Sequence, residues 1–156
     1  MKENVKILLV DNEDIYRIQF TEIFRGAGYS QIQEAASGKE AIAAARDYKP
    51  HLILMDTTMD GMNGYHACEH IRQEEYGKKM AIVGMSDSGD PNIQPRWEAA
   101  GADAFFKKQV VLELPGSLDA KAQALDTIVQ AALGKYSLAG VPAGQYGGAG
   151  PQQGRQ

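Results

Sequence analysis

Apolar residues fall in short unbroken runs, separated by longer stretches where they recur every third or fourth position. The clearest runs are Val5-Lys6-Ile7-Leu8-Leu9-Val10, Leu52-Ile53-Leu54-Met55 and Met80-Ala81-Ile82-Val83-Gly84-Met85. Two shorter ones are Ser30 to Ala35, centred on Ile32, and Ala104-Phe105-Phe106. Runs this short, closed by turn residues, predict strands, and a run without polar alternation predicts burial on both faces. The stretches between them predict helices. Tyr16, Phe20, Ile23, Phe24 and Ala27 share one helical face, with Gly26 and Gly28 as its stop. Ser37-Gly38-Lys39-Glu40 is a capping box for a helix through Ala41, Ile42, Ala45 and Tyr48, ending before Pro50. Gly64 opens a third helix carrying Tyr65, Cys68 and Ile71. Asp90 as cap and Pro91 as first helical residue open a fourth, which contains Trp97 and Ala100. Pro115-Gly116-Ser117 opens a last helix, with Leu118, Ala122, Leu125, Val129 and Leu133 at helical spacing.

Strand and helix alternate five times, which predicts an α/β fold: a parallel sheet covered by helices on both faces. Right-handed crossovers then bring every strand's carboxyl end to one edge. From about residue 135 to 156 the chain turns Gly-, Pro- and Gln-rich and reads as a C-terminal tail too poor in apolar side chains to order itself. The 156 residues suit one domain. A net charge of −4 gives no nucleic-acid footprint and no polybasic membrane anchor. No apolar run approaches the roughly 18 residues that span a bilayer, and the start has no signal-peptide shape. The single cysteine, Cys68, can form no internal disulfide, which fits a reducing cytosol. A cytoplasmic location is the expectation, with no nucleic-acid or membrane partner and no further output domain after the tail.

Four polar residues close four of the strands: Asp11, Asp56, Ser86 and Lys108. Two carboxylates about 5 Å apart at an effective dielectric near 20 repel by roughly 3 kcal/mol. Such a pair needs a bound cation, a nearby ammonium or a raised pKa. Oxygen ligands in an open pocket favour Mg²⁺, which keeps several waters and then ligates a phosphate. Lys108 adds a second positive charge and Ser86 a hydroxyl donor. The set suits phosphoryl transfer with an aspartate as nucleophile. His66 and His70 are spaced i, i+4 on a helix without an evident third ligand, so they read as solvated positions. Cys68 reads as a small packed hydrophobe. Trp97 is left as partly buried or as part of a partner surface.

The chain resembles the receiver domain of the two-component response regulator family over about residues 4–134. The resemblance lies in Leu8-Leu9-Val10-Asp11-Asn12-Glu13, in Met55-Asp56 followed by Gly61-Met62-Asn63-Gly64, in Val83-Gly84-Met85-Ser86, and in Gly101-Ala102-Asp103-Ala104-Phe105-Phe106-Lys107-Lys108. It implies a flavodoxin-like (βα)5 fold with strand order 2-1-3-4-5. It implies that Asp56 is the phosphoacceptor, assisted by Ser86 and Lys108, with Ser86 and Phe105 as the switch pair. It implies Mg²⁺ held by Asp11, Asn12, Asp56 and the backbone carbonyl of Thr58. The implied partners are a sensor histidine kinase or phosphotransfer protein as donor and an output protein the sequence does not name. The implied protein is a stand-alone signalling module rather than an enzyme.

Four residues depart from the family pattern. Asn12 stands where a second acid is usual, Asp60 and Gln109 stand where Pro is usual, and Asp87 replaces a small residue after Ser86. They support an alternative, a pseudo-receiver binding module with weak or no phosphorylation. A flavodoxin-like nucleotide or flavin binder is disfavoured, because Asp11-Asn12-Glu13-Asp14 would repel a phosphate where such folds carry a Gly-rich loop. A phosphohydrolase with its nucleophile after the first strand would want another Asp two residues on, where Glu13 stands.

Overall fold

The computed structural model describes residues 2–136. Five parallel strands form one sheet: β1 (Lys6–Val10), β2 (Gln31–Ala35), β3 (Leu52–Asp56), β4 (Ala81–Ser86) and β5 (Ala104–Lys107), in the order β2-β1-β3-β4-β5. The helices are α1 (Asp14–Gly26), α2 (Gly38–Tyr48), α3 (Gly64–Gln73), α4 (Ile93–Ala99), α5 (Lys108–Leu112) and α6 (Leu118–Gly134). The implied strand order is therefore the one observed.

Alternation along the central strands divides the interior in two. Ile7, Leu9, Leu52, Leu54, Val83 and Met85 face a core completed by α1 and α6. Leu8, Val10, Ile53, Met55 and Ile82 face a second core completed by α2, α3 and α4. With both faces covered, β1, β3 and β4 bury nearly every residue, which is why they read as unbroken apolar runs. The register sets Leu54 beside Leu9 and Val83, and Asp56 beside Met85, so the strands end level with one another.

Local signals act as their chemistry requires. Ser37 caps α2 by accepting the Glu40 N–H at 3.1 Å, while the Glu40 carboxylate accepts the Ala36 N–H at 3.1 Å. Lys49 turns left-handed (φ 51) directly before Pro50, which ends the helix. Gly28 turns left-handed (φ 104) after α1.

Two expectations are corrected. Asp90 and Pro91 are not the cap and first residue of α4. The Asp90 carboxylate accepts the Asn92 N–H at 2.9 Å, a tight turn that delays the helix to Ile93. Leu118 opens α6 as its spacing predicts and is 40% exposed at the helix's first position. Trp97 is neither partly exposed nor on a partner surface, being 0% exposed. The stretch after α6 also begins in contact with the domain. Tyr136 donates to the Asp103 carboxylate at 2.9 Å, and Lys135 to the Asp103 carbonyl at 2.8 Å. The rest of the expected tail, 137–156, lies outside the described residues.

Candidate functional site

The level ends of the strands bring the chemistry together. β1 delivers Asp11, β3 ends on Asp56, β4 ends on Ser86, and Lys108 follows β5 as the first residue of α5. The Lys108 ammonium lies 2.7 Å from Asp11 Oδ2 and 3.1 Å from Asp56 Oδ1, bridging the two acids. All four residues are buried; Lys108 is only 1% exposed. The second oxygen of Asp11 accepts the Glu13 N–H at 3.0 Å, and the Asp11 carbonyl accepts the Arg17 guanidinium at 2.6 Å. The ring of Tyr16 covers another side of the ammonium, its centroid 3.6 Å from Nζ.

Charge is unbalanced here, with two carboxylates to one ammonium. Burial pushes the Asp56 carboxyl up to about 6, and the negative charge of Asp11 adds to the rise against the pull of Lys108. Burial alone would lower the Lys108 ammonium, but its hydrogen bond to Asp11 and the charges of both acids hold it above its ordinary value. The cup is thus one positive charge short and has only oxygen donors, the chemistry of a hard divalent cation. Among the described residues, no three His, Cys, Asp or Glu side chains gather as a metal cluster. The two acids would therefore share such an ion with amide, carbonyl or water oxygens.

The other expected residues occupy different positions. Ser86 is 1% exposed, and its Oγ accepts the Ser88 N–H at 3.0 Å. Asn12 and Thr58 are exposed beside the buried acids. Phe105 is half-buried against the second core and lines a groove of ≈ 270 Å³ with Gln94, Glu98 and Ala104. Of the departures, Asp60 and Asp87 are exposed, and the Gln109 amide donates to the Asp87 carbonyl at 3.3 Å, tying the loop after β4 to α5. The Lys108–Gln109 bond is trans, like every described peptide bond. His66 and His70 are exposed.

Two residues beside the site were not singled out from the sequence. Thr57, directly after Asp56, is buried; its hydroxyl donates to the Met85 carbonyl and accepts the Trp97 indole N–H, both at 2.8 Å. Trp97 fits because two glycines leave it room. A Cβ on Gly84 would lie 2.3 Å from the indole, and one on Gly64 would lie 2.0 Å from the Asp56 carbonyl oxygen. Tyr16 reads in the sequence as a core position of a helix; its spacing of five residues from Asp11 is the available signal.

Comparison with known proteins agrees with this geometry. Residues 7–114 match the response regulator receiver domain. The chain is similar to the chemotaxis protein CheY of Thermotoga maritima, 32% identical over 66% of this chain and 84% of CheY. It is similar to the response regulator protein VraR of Staphylococcus aureus, 41% identical over 67% of this chain and 49% of VraR. It spans about half the length of several curated relatives it matches. A solved structure of the receiver domain of the sensor histidine kinase PA1611 of Pseudomonas aeruginosa, described with a magnesium ion coordinated in its active-site cleft, shares the fold. It gives a TM-score of 0.70 over 84% of this chain and 98% of that one, at 24% identity. The match from Ile7 onward takes in the strand ends and the whole Asp11–Lys108–Asp56 contact, and the chain therefore belongs to the response regulator receiver domain family.

Proposed function

We propose that Asp56 accepts a phosphoryl group from a histidine kinase or phosphotransfer protein and that the modified domain signals by protein–protein contact. The observation that carries this is the buried ammonium of Lys108 bridging Asp11 and Asp56. An Asp56 oxygen attacks phosphorus, the bond from phosphorus to the donor's imidazole nitrogen breaks, and its electron pair stays on that nitrogen. Lys108, already 3.1 Å from Asp56, faces the incoming phosphoryl oxygens, and Ser86 offers its hydroxyl proton to another. Asp11, Asn12, Asp56 and the Thr58 carbonyl are the residues that would hold Mg²⁺. When bound, the ion supplies charge neutralisation at the phosphoryl oxygens.

Modification replaces the single negative charge of the Asp56 carboxylate with nearly two on the phosphoryl group, raising the negative charge of this buried site. Ser86 then turns toward the phosphoryl group and half-buried Phe105 moves inward, a population shift that reshapes the face of α4, β5 and α6. Phe105 has no hydroxyl, so its inward state is apolar. Exposed Ile15, Ile18 and Val110 lie close in sequence to Asp11 and Lys108 and support contact with a donor protein there.

Acetyl phosphate with Mg²⁺, followed by intact mass, tests the reading. A phosphoryl adduct on wild type that is absent from Asp56→Asn is the expected result. No adduct on wild type from either acetyl phosphate or a phosphodonor protein would establish a pseudo-receiver instead.

A further inference from the structure

The Lys108 ammonium has three N–H donors and is enclosed on three sides, but only two sides are acidic. Asp11 and Asp56 lie at 2.7 and 3.1 Å. The third side is the face of the Tyr16 ring, with its centroid 3.6 Å from Nζ. The negative face of an aromatic ring attracts a cation, most strongly where water is excluded, and Lys108 is 1% exposed. A third carboxylate in this place would worsen an excess of negative charge and compete with a phosphoryl group for the ammonium. A neutral ring attracts the ammonium without doing either. Tyr16 is half-buried and packs against the core that holds the fully buried Phe20 and Phe24 of α1, while neighbouring Arg17 binds the Asp11 carbonyl.

We propose that Tyr16 is a positioning residue for phosphoryl transfer: its ring, not its hydroxyl, holds the Lys108 ammonium where phosphoryl oxygens arrive. This rests on the function proposed above for Asp56.

The test compares wild type with Tyr16→Leu, Tyr16→Met and Tyr16→Phe, using acetyl phosphate and Mg²⁺. Loss of the ring is expected to slow phosphorylation by about tenfold. Tyr16→Phe, which keeps the ring, is expected to restore the rate to within about twofold of wild type. Tyr16→Met serves if Tyr16→Leu does not fold. NMR of the assigned Lys108 Cε methylene, without donor or metal, gives an independent readout. Its protons should be displaced upfield by the ring in wild type and Tyr16→Phe, and return to ordinary lysine shifts in the aliphatic variant. Wild-type rates in both aliphatic variants, or unchanged Cε shifts, would overturn the proposal. If wild type takes no phosphoryl group, the function proposed for Asp56 fails, and the Cε shifts alone decide whether the ring holds Lys108.

Discussion

Asp56 is the residue least at ease in the site. Its folded pKa of about 6 stands above the ordinary 3.8, so between those values the folded chain binds more protons than the unfolded one. Stability linked to Asp56 is therefore present below pH 3.8 and lost as pH rises through 6, a cost of about 3 kcal/mol at neutral pH. Asp56→Asn should raise the midpoint of urea unfolding at pH 7.5 without added metal, while removing any phosphoryl adduct. Asn12 has the opposite deficiency. Restoring a carboxylate with Asn12→Asp adds attraction of roughly 2 kcal/mol for a divalent ion about 4 Å away in water, so Mg²⁺ affinity should rise at least about tenfold by titration. Unchanged affinity would mean that this side chain does not reach the ion.

At the scale of elements, α4 is held by a ring seated between glycines. A Cβ on Gly84 would sit 2.3 Å from the Trp97 indole, too close without displacement. Gly84→Ala should cost about 1–3 kcal/mol or more in urea unfolding, and markedly less in a Trp97→Leu background, where the obstacle is gone. The sequence did not decide this packing, because nothing in it says that Gly64 and Gly84, twenty residues apart, face one slot. Other elements were legible in proportion to their burial. β1, β3 and β4 could be read because both faces are covered. The start of α4 was misplaced because the Asp90 carboxylate serves its own turn. α5 escaped notice because five residues with one buried apolar side chain, Val111, show no period. At the site, Asp11, Asp56 and Lys108 were legible because each lies at the end of a strand or directly after it, whereas Tyr16 reaches Lys108 from a helix face that looked purely apolar.

For the molecule as a whole, pH acts on both edges of the sheet with opposite sign. At the entry edge, His51 Nδ1 accepts the Lys6 N–H at 2.9 Å, while the His51 backbone N–H donates to the Lys6 carbonyl and its carbonyl accepts the Ala81 N–H. Burial, aided by the charge of Lys6, lowers His51 from 6.5 to about 4. The unfolded chain therefore binds more protons than the folded one between those values, and stability linked to His51 falls by about 3 kcal/mol as pH drops from 6.5 through 4. Asp56 gains over nearly the same window, so the two effects offset each other in wild type. Asp56→Asn should unmask a steep loss of stability between pH 6.5 and 4, and His51→Gln should leave a chain that is more stable at pH 4 than at pH 7. Urea midpoints measured across that range check both signs.

Trp97 is the chain's only tryptophan, and its indole N–H is bound to the hydroxyl of the residue next to Asp56. That makes it a built-in optical probe of the phosphoacceptor. Any ligand that shifts the β3 terminus alters the polarity around a single emitter, with no background from a second one. Intrinsic fluorescence at micromolar protein can then follow magnesium, beryllofluoride or a phosphoryl group at Asp56 in real time, without a label.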